Sequence, residues 1–442
     1  MFKIVERTAN YLKKLGVEDY DIYATEGKGT GVEVKEGEVD RIKASQTKGV
    51  AIRVVVDGRL GFAYTNDVSD DGIRIAIECA KENAKCSEPD DYSFSMPEKT
   101  TLDLKLSDEE YDSVPVEKKI ELAKELEALA LQFDSRVKRV RKAAFQDGKT
   151  TIYYYNSNDH NFSYTTTNYS LSILLAAEEA GDSQIGWDYQ SSRFFHQLNP
   201  KLVAVTAAQN ATELLGAKPI KTKRVPVIFK NTVFSELIET LSAAFLGNNV
   251  LRRKSLFADR LTHEIASPTL TIYDDPHHPE GSGSCPYDDE GVVTKRKAVV
   301  DRGVLKNFLV DIYSARKLGL KPTGNGIRAS ISSLPASGIT NLIVERGALT
   351  LEEMVKTPEE VIVVTDAMGI HTVNPISGEF SIGISGIYYV DGRKVAPVTG
   401  MTVAGNMKEL LKRITEVGAD QKWLGNVCSP SVLVKELTVS GE

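Results

Sequence analysis

The chain has 442 residues, of which 41% are hydrophobic and 26% charged, and its formal net charge is −7. These proportions are those of an ordinary globular protein, and the length is enough for about two or three domains. The acidic balance, without a long block of one sign, argues against a protein whose main task is to bind nucleic-acid phosphates. No apolar stretch reaches the length of a membrane-spanning helix.

The N-terminal stretch "MFKIVERTANYLKKLG" predicts an amphipathic helix, because apolar residues recur at helical spacing between charged ones. It lacks the continuous apolar core of an export signal. The cysteines are scattered without a Cys-x-x-Cys pair, so we expect reduced thiols and a cytoplasmic protein without a membrane segment. They are Cys79, Cys86, Cys285 and Cys428.

The first half of the chain shows the same order of elements twice. Residues 1–90 predict a helix, a group of strands and a second helix, with "VDGR" (56–59) as a hairpin turn. A polar connection over 90–113 follows. A helix opening at Pro115 then precedes further strands, with an expected turn at Asp147-Gly148, and a helix over 198–215. The repeated order indicates a duplicated unit.

The segment "KPIKTKRVP" (218–226) predicts a domain boundary, because it combines prolines with four basic residues. We therefore expect an α+β fold with two domains, a mixed helix and strand domain over 1–218 and a strand-rich domain over 219–442. The second domain begins with a predicted helix, "TVFSELIETLSAAFLG", which has one apolar stripe and Gly247 as its expected C-cap. A last helix is expected to end at Gly418.

One His-Glu pair, His263 and Glu264, invites comparison with zinc-binding His-Glu-x-x-His helices. The position for the second histidine is Ser267, and Pro268 follows it. Because the residue before a proline disfavours helical backbone, neither the ligand pair nor a continuing helix is expected. We interpret His263 as a loop histidine.

The stretch "YDDPHHPEGSGSCPYDDEG" (273–291) is richer in residue types that bind zinc or calcium. Its spacing fits neither a zinc finger nor an EF-hand, and neighbouring side chains on extended backbone point apart. We predict a turn-rich loop here, with Asp288, Asp289 and Glu290 as candidates for binding a peptide or a partner. The other ligand types in this loop are Asp274, Asp275, His277, His278 and Cys285.

The second half resembles the TldD/PmbA family in several blocks that occur in the same order, and the similarity is strongest from about residue 225 onward. The block "NPISGEFSIGISG" is similar to the TldE/PmbA branch. The remaining blocks are "YDDEGVVTKRKAVVDRGVLKNFLVDIYSARKLGLKPTGNGIRA", "LPASGITNLIVERGA" and "VCSPSVLVKELTVSG". The resemblance implies a strand-rich C-terminal domain of the type found in this family.

In the TldD branch, a zinc ion is held by a helical His-Glu-x-x-x-His motif and a cysteine. The resemblance places the two histidine positions on Ile238 and Ala243 and the glutamate position on Glu239. Cys428 lies nearer the following strand than the third ligand, so that role is not assigned to it. The resemblance therefore implies no metal, no cofactor and no catalytic residue in this chain.

The resemblance implies the non-zinc subunit of a heterodimeric metallopeptidase that cleaves unstructured peptides, with zinc in a TldD-like partner. We expect the peptide to add as a strand along 380–390, because Gly383 and Gly386 allow close backbone approach. Phe380 and Ser381 belong to the same candidate strand. The alternative is a homodimeric regulatory protein, in line with the family's older label as modulator of DNA gyrase, acting through protein contacts without binding nucleic acid directly.

Overall fold

The N-terminal half is built from two units of the same order in the computed structural model, which describes residues 1–441. The first unit consists of α1 (Phe2–Lys14), β1 (Asp19–Lys35), β2 (Glu38–Val56), β3 (Arg59–Thr65) and α2 (Asp70–Lys85). The second consists of α3 (Val116–Phe133), β4 (Val137–Asn156), β5 (Asn161–Glu179), β6 (Asp182–Ser192) and α4 (Pro200–Thr212). The predicted repeat of helix, strands and helix is confirmed.

The strands of both units form one six-stranded sheet in the order β3-β2-β1-β4-β5-β6, with antiparallel neighbours throughout. Along β1, Ile22 and Ala24 pack in the core under α1 and α2, while Val32 and Val34 pack in the core under α3 and α4. Because alternate residues of a strand share a face, all four helices cover the same side of the sheet. The opposite side is left for the C-terminal half.

The last strand of each unit carries a glycine where a helix presses closely on the sheet. A Cβ atom on Gly61 would lie 1.9 Å from the carbonyl oxygen of Ala80, and one on Gly186 would lie 2.1 Å from that of Ala207. Any side chain at either position would push the helix away. The same glycine-mediated contact between a helix and a strand occurs in both units, which supports the duplication seen in the order of elements.

The turn expected at Asp147-Gly148 is wrong, because β4 runs straight through this dipeptide from Val137 to Asn156. The side chain of Asp147 is fully buried and accepts hydrogen bonds from Thr30 N and from the Tyr111 hydroxyl. Lys119 lies 2.6 Å from its second carboxylate oxygen. These long-range contacts keep Asp147 and Gly148 in a strand, although an Asp-Gly dipeptide favours turns in isolation.

The C-terminal half begins with β7 (Lys223–Phe229), so the boundary expected at 218/219 falls in the segment that joins it to α4. Its helices are α5 (Asn231–Ser242), α6 (Gly247–Leu251), α7 (Ile312–Leu318), α8 (Leu351–Met354) and α9 (Met407–Lys412). Its other strands are β8 (Ile272–Asp274), β9 (Lys297–Asp301), β10 (Val304–Leu305), β11 (Gly326–Ile327), β12 (Ala336–Ser337), β13 (Leu342–Val344), β14 (Glu360–Met368), β15 (Glu379–Val390), β16 (Arg393–Asn406), β17 (Ile414–Val417), β18 (Lys422–Leu424), β19 (Val427–Ser429) and β20 (Val432–Ser440). Single 3-10 turns lie at Tyr111–Ser113, Phe195–Gln197, Ala243–Phe245 and Ile370–Thr372.

Two six-stranded sheets organise this half, in the orders β10-β9-β8-β13-β19-β18 and β16-β15-β14-β7-β20-β17. In the second sheet β16 also pairs with β20, so five of its strands close into a ring. The strand-rich C-terminal domain predicted from the sequence is confirmed. Two helix ends differ from the prediction: Gly247 begins α6 instead of capping α5, and the last helix stops at Lys412 because residues 414–417 pair with β20.

The two halves meet at the helix-free side of the N-terminal sheet. Tyr154 and Phe162 lie on that side, and the Phe162 ring stacks on Tyr287 of the C-terminal half with 4.2 Å between ring centroids. The tyrosine-rich segment of β4 and β5 therefore supplies an internal contact. Within residues 1–441, no helix is long and apolar enough to cross a membrane.

Candidate functional site

Helix α5 occupies the place that the family resemblance assigns to a metal-binding helix. Its apolar stripe faces the interior, and Ile238 is fully buried in the core of the C-terminal half. Ala243 lies just beyond the helix, in a 3-10 turn, and Glu239 is exposed. The two positions assigned to histidine ligands thus hold a core residue and a small residue at a turn.

The side chains near α5 do not fit a zinc ion. Ile238 and Ala243 have no ligand atoms, so neither position assigned to a histidine ligand can bind the metal. Cys428, on β19, is buried, and this burial raises the pKa of its thiol to about 12. No group of three His, Cys, Asp or Glu side chains in residues 1–441 is placed to share a metal ion.

Glu236 is the titratable group of α5 whose surroundings alter it most. Partial burial raises the pKa of Glu236 to about 7, and the negative charges of Asp366 and Glu239 add to the effect. Each of these influences disfavours the ionised carboxylate. Glu236 therefore changes charge near neutral pH, whereas an ordinary glutamate is ionised there.

Most of the strand proposed to accept a peptide, residues 383–390, is not at an edge, whereas Phe380 and Ser381 pair with β16 alone. Residues of β15 pair with β14 on one side and β16 on the other, and Gly383 lies opposite both Met368 and Thr402. The expectation of strand addition is wrong for residues 383–390, because β14 and β16 already pair with both sides of this part of β15.

The four residues proposed on β15 differ in their surroundings. Phe380 is buried in the core and Ser381 is exposed. A Cβ on Gly386 would lie 2.0 Å from the carbonyl oxygen of Val363, so this glycine is needed for strand packing. A Cβ on Gly383 would meet no atom closer than 3.8 Å, so Gly383 is not sterically required. A role for any of them in binding stays a prediction.

The acidic residues at 288–290 bind the protein's own backbone. Asp288 is buried and accepts hydrogen bonds from the N–H groups of Glu290 and Val292, at 3.0 and 2.9 Å, and of Gly326, at 2.8 Å. Asp289 accepts one from the N–H of Arg328 at 2.7 Å. These contacts fix the loop.

Glu290 joins the two halves of the molecule through a buried arginine. Its Oε1 atom accepts a hydrogen bond from Arg53 Nη1 at 2.9 Å, and Arg53 also donates from Nε to Asp21 at 2.9 Å. All three side chains are less than 8% exposed. Burial raises the pKa of Glu290 and the charge of Arg53 opposes that rise. We assign this cluster a cohesive role, and its proposed part in binding a peptide or a partner stays a prediction.

The remaining metal-type residues of the second half contact other groups of the protein. Asp274 is fully buried and accepts hydrogen bonds from Lys297, Asn325 and the N–H of Thr340. His277 contacts the Thr294 hydroxyl at 3.0 Å. His263 lies exposed in a turn, where its Nδ1 is 2.9 Å from the carbonyl oxygen of Leu261.

A cleft of about 820 Å³ separates the N-terminal sheet from the beginning of α5. We call it the inter-half cleft. Sequence reasoning missed it, because its walls come from four segments far apart in the chain and none carries a motif. Its polar lining includes Asp188, Gln190, Asn210, Lys230, Asn231, Asp420, Gln421 and Lys422.

Three domain models of one family match almost the whole chain. The PmbA/TldA metallopeptidase domain 1 matches residues 20–84, the central domain matches 109–215, and the C-terminal domain matches 222–441. The first two together cover the N-terminal half, in which both contribute strands to one sheet.

Relatives and solved structures agree with these matches. The chain is 32% identical to the metalloprotease PmbA of Escherichia coli O157:H7 over 94% of this chain and 90% of that protein. It is 30% identical to a PmbA homolog of Haemophilus influenzae over 95% and 92% of the two chains.

A Thermotoga maritima crystal structure described as a proposed modulator of a DNA gyrase is 29% identical, covers 100% of both chains and has a TM-score of 0.92. TldE of Thermococcus kodakarensis shares the fold with a TM-score of 0.90, at 23% identity over 98% of this chain and 100% of that one. The chain therefore belongs to the PmbA/TldD family, in its PmbA branch.

Proposed function

We propose that this chain is the non-zinc subunit of a two-subunit metallopeptidase that cleaves unstructured peptides. The observation that carries the proposal is α5, where a fully buried isoleucine and a turn alanine stand at the positions that bind zinc in the TldD branch. A catalytic zinc normally takes three protein ligands, and these two positions offer none. Zinc and the chemical step then belong to a TldD-like partner.

The role left to this subunit is to complete the complex and to hold part of the peptide. The relatives named metalloprotease PmbA support a link to proteolysis. The buried cluster of Arg53, Asp21 and Glu290 supports a rigid body, because it fixes the N-terminal sheet on the C-terminal half. Such rigidity suits a subunit that positions a substrate.

A second candidate function is that of a regulatory homodimer without peptidase activity. One observation favours it: the Thermotoga structure, which matches the whole chain, is described as a proposed gyrase modulator. The net charge of −7 argues against direct DNA binding, so such regulation would go through contact with another protein.

The test compares this chain alone, a TldD-like partner alone and their mixture, in an assay of cleavage of an unfolded polypeptide. Zinc is quantified in the same samples by elemental analysis. We expect zinc in the partner and cleavage in the mixture. Cleavage by the mixture should survive Glu239→Gln in this chain and should be lost when the partner lacks the glutamate of its own His-Glu-x-x-x-His motif.

Stoichiometric zinc and cleavage in this chain alone would overturn the proposal. A mixture that neither associates nor cleaves, together with a stable homodimer that changes DNA supercoiling by gyrase, would favour the regulatory function instead. Light scattering on the same samples reports the assembly state in each case.

A further inference from the structure

Strand β2 has a free edge next to the turn that joins it to β1. Residues 50–56 of β2 pair with β3, whereas residues 38–49 pair with β1 alone. Residues 40–48 are all exposed, and within residues 1–441 no further strand pairs with them. On such an edge every second residue directs its backbone N–H and C=O groups outward, which makes the edge a surface for pairing with another strand.

A bulge in β2 changes which of its side chains share a side of the sheet. Val39 lies opposite Val34 of β1, which belongs to the core under α3 and α4. Ile42 lies opposite Val32 of the same core. The register shifts between these two pairs, which leaves Asp40 as an extra residue. Val39 and Ile42 therefore both lie on the helix side, although residues three apart in a regular strand lie on opposite sides.

The two apolar residues of the edge form the outer end of a buried row. Val32 and Val34 are buried in the core, whereas Ile42 is 49% exposed and Val39 is half-buried. A neighbouring strand with apolar residues on the same side of the sheet would continue this row and remove apolar surface from water.

The segment 38–43 is complementary to itself when it is read in reverse. Its sequence, "EVDRIK", is acidic, apolar, acidic, basic, apolar and basic. Set antiparallel about a two-fold axis, two copies of this segment bring together Glu38 and Lys43, Val39 and Ile42, and Asp40 and Arg41. Every charged residue of the segment then faces one of opposite sign, which favours cross-strand pairing.

The bulge makes this pairing consistent with the sides on which the residues lie. A two-fold axis perpendicular to the sheet keeps each side chain on its own side, so facing residues must share a side. The two apolar residues share the helix side because of the bulge. Glu38 lies opposite Lys35 of β1 and Lys43 lies opposite Gly31, so both share the other side.

The charges of the segment have few ion pairs within the chain. Glu38 lies 3.6 Å from Lys124. Glu33, which lies opposite Arg41 on β1, pairs with Lys142 at 2.9 Å. Apart from Glu38, the charges of the segment form no ion pair within residues 1–441. Exposed pairs contribute little energy each, so their main effect would be to select the register of two paired strands.

We propose that segment 38–43 of β2 pairs with the same segment of a second copy of this chain, so that two N-terminal sheets join edge to edge in a two-fold dimer. A second copy fits because the segment matches itself in charge and in side-chain direction. Both copies use the same edge, so assembly closes at two. The ladder is short, which predicts a weak dimer. The proposal goes beyond the proposed function and does not depend on it, because it needs neither zinc nor a second kind of chain.

The first experiment is sedimentation velocity on the full chain, alone, from about 1 to about 500 μM. We expect the average mass to rise from monomer toward dimer. Lys43→Glu places like charges against Glu38 and should raise the dissociation constant about tenfold. Glu38→Lys combined with Lys43→Glu restores opposite signs and should return the constant to within about threefold of wild type. Lys321→Glu, at an exposed site of the C-terminal half, is the control and should change nothing.

The second experiment tests the register by disulfide formation between chains. The exposed thiols are first removed by Cys79→Ser and Cys86→Ser. A mixture of one protein with Val39→Cys and one with Ile42→Cys should form a disulfide under mild oxidation, because facing residues lie within the Cα distance of about 4.4–6.8 Å that a disulfide needs. Either protein alone should form much less, since the same position in the two copies is separated by more than about 8 Å.

The proposal is overturned by a chain that stays monomeric over the whole concentration range. It is also overturned by a dimer whose dissociation constant does not change with Lys43→Glu or is not restored by the double exchange of charges. Disulfide formation that is as fast in the single proteins as in their mixture would overturn the register. Unfolding curves in urea show that the compared proteins are folded, and the disulfide test decides the matter if a charge variant is not.

Discussion

Two cations of this molecule, one buried and one partly buried, have different surroundings. Arg53 lies at one junction of the two halves and is bonded to Asp21 and Glu290, so its charge is neutralised inside the protein. Lys230 lies at the other junction and contacts a neutral amide. The comparison teaches that burial alone does not reveal what a charge does. A buried charge with bonded counter-charges ties elements together, whereas Lys230 bonds a neutral amide and is attracted by Glu213, Asp188 and Asp420 without forming an ion pair.

The largest effect is expected for Arg53→Met, which leaves two buried carboxylates without their cation. Removing one partner of a buried ion pair costs about 3–5 kcal/mol, and we expect the free energy of unfolding to fall by that amount. Urea unfolding followed by circular dichroism measures it. Arg74→Met removes an exposed arginine that pairs with Asp71, and it should cost less than about 1 kcal/mol. Similar losses for the two variants would contradict the cohesive role of Arg53.

A smaller loss is expected for Lys422→Met, which leaves Asp188 buried and unpaired. The cost should be about 1–3 kcal/mol, as for a buried polar group that loses its partner. Burial raises the pKa of Asp188, so the folded state favours its neutral form. The stability linked to this carboxyl is therefore fully present below the pKa that Asp188 has in the unfolded chain. It is lost as the pH rises through the pKa that Asp188 has in the folded protein. Unfolding at pH 4 and pH 8 should show a penalty for Lys422→Met that grows with pH. A penalty that shrinks with rising pH would be inconsistent with this account.

Glu236→Gln tests a partly buried charge whose neighbours Asp366 and Glu239 repel it. The pKa of Glu236 is raised to about 7, so the wild-type protein loses stability as the pH rises from about 4 to above 7. The variant should gain about 1 kcal/mol at pH 8, after allowance for solvent screening, and nothing at pH 4. Glu125→Gln, at an exposed site on α3, is the control and should show no such pH dependence. An equal gain at both pH values would show that the ionisation of Glu236 is not the cause of the change in stability.

The smallest effect on stability is expected for Lys230→Met. The variant removes a charge that is withdrawn from water and has no ion-pair partner among residues 1–441, so little stabilising energy is lost. The free energy of unfolding should stay within about 0.5 kcal/mol of wild type or rise slightly. A loss comparable to that of Arg53→Met would mean that Lys230 is cohesive after all, and the contrast between the two junctions would disappear.

Local sequence patterns predicted most of the elements. The apolar spacing of α1, α3 and α5 and the turn at Asp57-Gly58 are properties of a few neighbouring residues, and both residues of that turn have positive φ as such a hairpin requires. Asp147-Gly148 has the same local signal and lies inside a strand. What differs is Lys119 and Tyr111, which reach Asp147 from other parts of the chain. Contacts of that kind are invisible in a local pattern.

The candidate sites were less predictable for the same reason. Glycines on β15 indicated close backbone approach, and Gly386 indeed needs it, but only the closure of the sheet shows that the approaching strand is β14. Acidic residues 288–290 pointed to binding, and their partners in the same chain are backbone N–H groups and, for Glu290, the Arg53 side chain. Lys230 has no motif around it. Its surroundings exist only once α4 and β18 are in place beside it.

The ring of strands in the C-terminal half also affects how the protein is made. Strand β7 ends at Phe229 and its neighbour β20 begins at Val432, so about 200 residues separate two strands that pair directly. At a synthesis rate of about 5–20 residues per second, β7 waits roughly 10 to 40 s on the ribosome with one side unpaired. The N-terminal sheet is complete by Ser192 and can fold during that time. Synthesis therefore exposes one half of this protein to misassociation much longer than the other, and a chaperone that covers unpaired strands would act on the C-terminal half.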